Sequence, residues 1–210
     1  MNSSDWPYSI EPMRPEDVPT VGAIERMVFA RPWPVDAFNY ELLENPNAHY
    51  LVARLRRQEE APKSKRGLRA AFRRAMSGPD LDETLVGYGG LWLMVDEAHI
   101  CTLAVHPAWR RRSIGELLLA SLIEKAMELG SRCVTLEVRV SNRVAQHLYE
   151  KYGFSRAGLR PGYYSDNNED ALIMTTDSIN SPEYQARFRE LTETLRATLS
   201  SSRSKIGGQL

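Results

Sequence analysis

Cysteine is almost missing from this chain. Only Cys101 and Cys133 occur among its 210 residues. Both sit in apolar, strand-like runs, so two reduced core thiols are expected and a disulfide framework is not. Long apolar runs are missing too. LWLMV and LLLASLI are the longest candidates, far short of the roughly eighteen residues that a membrane span needs. The opening MNSSDWPYSIEP has neither a basic region nor an apolar core, and no secretory signal is read there. Four histidines, His49, His99, His106 and His147, stand at no metal-ligand spacing to one another or to the cysteines. No structural metal is expected. These absences point to a cytoplasmic protein.

Net charge is also absent, at a formal +0, but its distribution is uneven. From Arg54 to Arg74 nine Lys or Arg face only Glu59 and Glu60. Within that stretch Leu68, Ala71, Phe72, Ala75 and Met76 recur at helical spacing, which predicts a short amphipathic helix. The segment 55–84 reads as a basic helical insertion packed on, or tethered to, the main domain. The other reading is a basic face for nucleic acid or an anionic membrane.

A hydrophobic fraction of 42% is ample for one core. Strands are expected at 8–13, 49–53, 85–94, 99–105, 133–138, 155–159 and 171–175. Helices are expected at 14–28, 35–44, 113–130 and 142–152. Ser181-Pro182-Glu183 is a cap followed by proline at the first helical position. Tyr184, Phe188, Leu191, Leu195 and Leu199 form the stripe of that last helix. Such alternation predicts an α/β or α+β sheet with parallel and antiparallel neighbours. The expected organisation is a main domain over 6–177, an accessory helix over 178–199 and a disordered tail over 200–210.

Two stretches carry chemistry. In TLAVHPAWRRRSIGELLL (102–119) a strand ends, arginines follow, and a helix begins at Ser113-Ile114-Gly115. Unpaired N–H groups at a helix start suit an anion, and a pyrophosphate fits. A plain surface arginine cluster is the other reading. In LEVRVSNRVAQHLYEKYGF (136–154) a carboxylate, Glu137, interrupts an apolar strand, and the phenol of Tyr149 follows one helix later. An acid and a base near an anion site suit a group-transfer reaction. A solvent-facing Glu137 and a core Tyr149 fit the residues as well.

Together, in order and spacing, the two stretches resemble the GNAT acetyltransferase superfamily. Its strand, Q/R-x-x-G-x-G/A and helix read here as Arg110-Arg111-Arg112-Ser113-Ile114-Gly115. The series LAVHP, RRRSIGELLL, TLEVRVSN, LYEKYGF and YYSDNNEDALIM is similar to the RimI type, N-terminal acetyltransferases of a small-subunit ribosomal protein. The likeness is densest from Leu103 to Met174, and Pro32-Trp33-Pro34 resembles the family's first-helix loop. It implies a mixed, mostly antiparallel sheet, splayed at the cofactor site and flanked by helices. It implies acetyl-CoA as donor, no metal, and a protein N-terminal amine as acceptor, by direct transfer without an acyl-cysteine. Leu103, Ala104 and Val105 would meet the pantetheine arm. Arg111, Arg112, Ser113, Ile114, Gly115 and Glu116 would hold the pyrophosphate, and Asn142 would add a cofactor contact. Glu137 would be the general base and Tyr149 the general acid.

Trp33, Tyr163 and Tyr164 are expected to frame the acceptor, the tyrosines on a loop from Pro161 to Asp166. Glu169 or Asp170 would draw a cationic chain end. Ser113 replaces the family's first loop glycine, and ordinary helical geometry is expected there. A small-molecule amine or an internal lysine is the alternative acceptor.

Overall fold

The computed structural model describes residues 6–56 and 85–206, with backbone alone for 202–206. The amphipathic helix expected within the basic insertion lies outside the described residues.

Seven strands form one sheet in the order β1-β2-β3-β4-β5-β7-β6. They are β1 (Tyr8–Pro12), β2 (Ala48–Leu55), β3 (Leu85–Met94), β4 (Glu97–Val105), β5 (Cys133–Arg139), β6 (Phe154–Tyr164) and β7 (Glu169–Thr176). All neighbours are antiparallel except β4 and β5. Arg54 of β2 pairs with Leu85 of β3, so the basic insertion leaves and re-enters the sheet at one place.

The parallel ladder is short. It runs from Glu97 opposite Cys133 to Ile100 opposite Leu136 and then ends. Beyond it β4 stays on β3 as far as Val105, while β5 stays on β7 as far as Arg139. The cause lies in β4. Gly90 pairs with Thr102 and Leu91 with Ile100, leaving Cys101 as an extra residue. A bulge bends its strand and ends pairing locally, and this one falls directly after the last residue bonded to β5. The sheet therefore opens into a V.

Helices cover both faces. α1 (Val18–Val28) and α2 (Val35–Leu43) close one face over Val21, Ile24, Phe38, Tyr50, Val52 and Tyr88. On the other lies α3 (Ile114–Glu128), with Leu117, Leu118, Leu119, Leu122 and Ile123 all fully buried. A helix apolar on most sides needs cover on most sides. It gets it from the sheet and from the last helix, α5 (Pro182–Ile206), through Phe188, Leu195 and Leu199. Ser181 Oγ caps α5 by accepting from Tyr184 N–H at 3.1 Å. The helix continues to Ile206, into the stretch expected to be a tail. No helix among the described residues is long and apolar enough to cross a membrane.

α4 (Arg143–Lys151) follows β5 directly. Asn142 caps it, its side-chain oxygen accepting from Ala145 N–H at 3.2 Å. Gly153 closes it in the left-handed region at φ 85°, a helix stop that glycine adopts without steric cost.

Candidate active site

A cavity of about 440 Å³ occupies the mouth of the V. Its walls come from α1 and the link after it (Glu25, Arg31, Trp33), from β4 (His99 to Leu103), from β5 (Leu136 to Arg139), and from Asn142, Tyr149, Tyr163 and Tyr164. Of the residues singled out in the sequence, Trp33, Leu103, Glu137, Asn142, Tyr149, Tyr163 and Tyr164 all meet here.

β5 places Glu137 by simple alternation. Leu136 and Val138 point into the core, while Thr135, Glu137 and Arg139 share the other face. Glu137 is only 8% exposed, so its charge needs partners. It has two. His99 Nε2 lies 2.6 Å from one carboxylate oxygen and Arg160 Nη2 3.0 Å from the other. The His99 hydrogen bond holds the Glu137 carboxyl below its ordinary value, with Arg160 assisting and burial opposing.

His99 was not singled out in the sequence, where the histidines were weighed only as metal ligands. His99 is in register with Thr135, two residues from Glu137 on the same face of β5. That neighbourhood requires the β4–β5 pairing, which no local pattern contains. Among the described residues no cluster of His, Cys, Asp or Glu gathers to hold a metal.

Tyr149 sits on the inner face of α4, 9% exposed, its ring 5.7 Å from that of Phe154. No described residue hydrogen-bonds its hydroxyl. Burial, with Tyr164 nearby, pushes its pKa up to about 12. It is a phenol that keeps its proton, on a residue that lines the cavity.

Cys101 also lines the cavity, a position that its apolar run did not suggest. Its thiol donates to the Gly90 carbonyl at 3.4 Å and meets the Tyr50 hydroxyl at 3.5 Å. Burial pushes it up to about 12. A thiol so poorly ionised is a weak nucleophile.

The first loop is anchored from within. Trp33 N–H donates to Glu25 Oε1 at 3.1 Å, and the Trp33 ring stacks on Trp92 at 6.0 Å. Glu25 is 3% exposed and its other oxygen, Oε2, is buried with no partner among the described residues. Burial raises its pKa to about 7, against the hydrogen bond from Trp33.

The expected tyrosine loop is mostly strand. β6 runs on to Tyr164, irregular between Arg160 and Tyr164, and the turn begins only at Ser165. Gly162, at φ 60°, allows the irregularity, and its N–H donates to Asp170 at 2.8 Å. Arg139 lies over the Tyr164 ring at 3.9 Å while pairing with Asp166 and Glu169. Both Glu169 carboxylate oxygens are engaged within the hairpin, Asp170 Oδ1 accepts from Gly162, and neither residue lines the cavity.

At the start of α3 the expectation for Ser113 fails. Its φ is 59° and ψ 12°, the left-handed region, and its side chain makes no capping bond. Arg111 is left-handed as well, at φ 60°. A residue with a Cβ costs about 1–2 kcal/mol in that region, which glycine's greater unfolded-state entropy offsets by about 0.5–1 kcal/mol. Ser113→Gly is therefore expected to raise stability by up to about 1 kcal/mol, measured by urea denaturation. Lower stability would refute this account of the strain.

The other predicted cofactor-contact residues divide by what their side chains already do. Ile114 and Ala104 are buried, leaving backbone alone for any ligand. Arg112 stacks on Trp109 at 4.8 Å. The Glu116 carboxylate accepts from Lys151 Nζ at 2.5 Å and from the Tyr152 hydroxyl at 3.0 Å, tying α3 to the end of α4.

A sheet opened between two parallel strands, with a carboxylate and a phenol in the opening, is the architecture of an acyl-transfer enzyme. The chain belongs to the GNAT family of acetyltransferases: residues 24–154 match the Acetyltransferase (GNAT) family. It is an N-acetyltransferase by this membership.

It is 41% identical over 166 residues to a Bacillus subtilis (strain 168) protein, covering 79% of this chain and 93% of that one. The name of that relative, given provisionally, is [ribosomal protein bS18]-alanine N-acetyltransferase. The crystal structure of the Escherichia coli ribosomal-protein-S18-alanine N-acetyltransferase aligns with TM-score 0.63 and 26% identity, over 83% of this chain and 97% of that one. Arabidopsis thaliana NAA60 in complex with acetyl-CoA shares the fold at TM-score 0.64 and 18% identity, over 83% of this chain and 99% of that one.

Proposed function

We propose that this enzyme transfers the acetyl group of acetyl-CoA to the α-amine of a protein N-terminus, the alanine end of a ribosomal protein. The observation that carries the chemistry is the meeting of Glu137 and Tyr149 in one cavity where β4 leaves β5. The names of the relatives support the acceptor.

The residues present fit the donor. Past Ile100 the β4 edge facing the V carries no strand partner, so its backbone is open to a pantetheine amide. The first turn of α3 offers uncapped N–H groups for a pyrophosphate. Gly115 adds an argument of its own. A Cβ built there meets only Val105 Cγ2, at an ordinary 3.6 Å, so the fold has no need of glycine at that point. Close approach of a ligand supplies the need. Gly115→Ala is expected to leave stability unchanged or slightly raised, while acetyl-CoA affinity falls about tenfold or more. Calorimetric titration checks this, and unchanged affinity would remove the loop from the binding site.

The donor supplies a thioester carbonyl and a thiolate leaving group. The α-amine, with a pKa near 8, is about a tenth neutral at pH 7, against under a thousandth for a lysine. After its lone pair bonds to the carbonyl carbon, the nitrogen is positive and strongly acidic. Even a carboxylate held low by His99 and Arg160 accepts that proton, so the lowered Glu137 is adequate to the task. Tyr149 gives its proton to the departing sulfur. With Cys101 a poor nucleophile, direct transfer is the route.

The test is thiol release from acetyl-CoA with synthetic peptides, one beginning Ala-Arg, free or blocked at the α-amine. Turnover on the free peptide alone supports the reading. Turnover on a blocked peptide bearing lysine, or on none, defeats it.

A further inference from the structure

The proposed chemistry leaves a buried carboxylate of the cavity unused. Glu25 projects from α1 with Oε1 engaged by the Trp33 N–H and Oε2 buried without a partner. A buried carboxylate is ordinarily paired, because an uncompensated charge out of water is costly. Charged groups share its cavity: Arg31, His99, Glu137, Arg139 and Asp166. None of them is among the groups that act on the Glu25 carboxyl, which responds only to burial and to Trp33. Glu137, Arg139 and Asp166 are satisfied by other partners. What Oε2 lacks is a cationic N–H donor, and the acceptor reading above brings one.

We infer that Glu25 is the docking group for the acceptor's α-ammonium, with Oε2 taking one of its N–H bonds. The inference rests on the proposed N-terminal acceptor. It gives the two carboxylates of the cavity different tasks: Glu25 receives the charged chain end, and Glu137 serves the bond-forming step. A carboxyl near 7 lies within about one unit of a terminal ammonium. After docking, one proton can pass from nitrogen to Oε2, leaving a neutral Glu25 and the free lone pair that attack requires. An amine-blocked chain end brings no such cation, and Oε2 stays unpaired.

The experiment is equilibrium binding to the full chain with CoA present, so that no acetyl group turns over. Two peptides beginning Ala-Arg are compared, one with its free α-amine and one des-amino. The wild type should bind the free-amine peptide about tenfold or more tightly, the scale of a charge-assisted hydrogen bond. Glu25→Gln keeps an oxygen for the Trp33 N–H. It should lower the free-amine affinity to near the des-amino level and leave the des-amino affinity unchanged. A gap preserved in the variant overturns the inference, and Glu25 is then only an anchor for the Trp33 link. Equal loss for both peptides, or no gap in the wild type, overturns it as well. Wild-type turnover on the free peptide with a preserved gap defeats Glu25 alone, whereas absence of that turnover defeats the acceptor reading with it.

Discussion

Changing Glu137 to glutamine should lower kcat on a free N-terminal peptide by about 10²–10³-fold and leave acetyl-CoA binding within a factor of about two. The size follows from what the carboxylate does late in the reaction. Glutamine has nearly the same shape and still offers an oxygen to His99, so the β4–β5 mouth keeps its geometry. It loses the negative charge that pairs with Arg160 and that is proposed to take the nitrogen proton. An interaction needed only as the bond forms lowers kcat without weakening donor binding. The Arg160 side chain is 54% exposed, so its lost ion pair is screened and should cost little stability. Steady-state kinetics, with calorimetry for acetyl-CoA, measures both quantities. A kcat within threefold of wild type would leave Glu137 a structural partner of His99, and a parallel loss of acetyl-CoA affinity would make it a binding residue.

Removing one oxygen from Tyr149 should have the next largest effect. Tyr149→Phe keeps the ring on Phe154, and the hydroxyl that disappears has no partner to strand. A thiolate leaves tolerably well unaided, its pKa being near 8.5, so a loss in kcat of about tenfold to a hundredfold is expected. The pH profile carries a sharper test. Burial pushes Tyr149 up to about 12, so the phenol stays protonated well past pH 10. The wild-type kcat should therefore show no fall between about pH 8 and 10. A decline there, abolished in Tyr149→Phe, would mean that the tyrosine ionises far lower than its surroundings dictate.

Local patterns were read correctly where the chain's neighbours in sequence set the outcome. The cap at Ser181, the helices expected over 113–130 and 142–152 and the strand expected over 133–138 lie within two residues of where they were read. The longer string LEVRVSNRVAQHLYEKYGF singled out Glu137 and Tyr149, which line one cavity. The misreadings share a cause. Ser113 was expected in helical geometry because Gly115 is retained and three arginines flank the loop, yet it stands in the left-handed region. Pro161 and Gly162 read as a loop, whereas pairing with β7 holds the segment beside the sheet through to Tyr164.

His99 and Glu25 mark the boundary more clearly. In the sequence one is a histidine in an apolar strand and the other a glutamate at helical spacing beside Ile24. The partner of His99 lies 38 residues away and reaches it across the parallel β4–β5 junction of the sheet. Glu25 matters because burial strips its carboxylate of water and leaves one oxygen unpartnered, a property of packing and of no single segment.

The sequence by itself determined most of the elements, the family, and the order of the residues proposed to do the chemistry. Those depend on periodicity, capping and spacing along the chain, which are local. Tertiary structure alone decided where the sheet opens, since the bulge at Cys101 has meaning only against β3 and β5. It also decided which charges are paired. Coulomb interactions and desolvation act through space, and the distances that govern them exist only after the chain has folded.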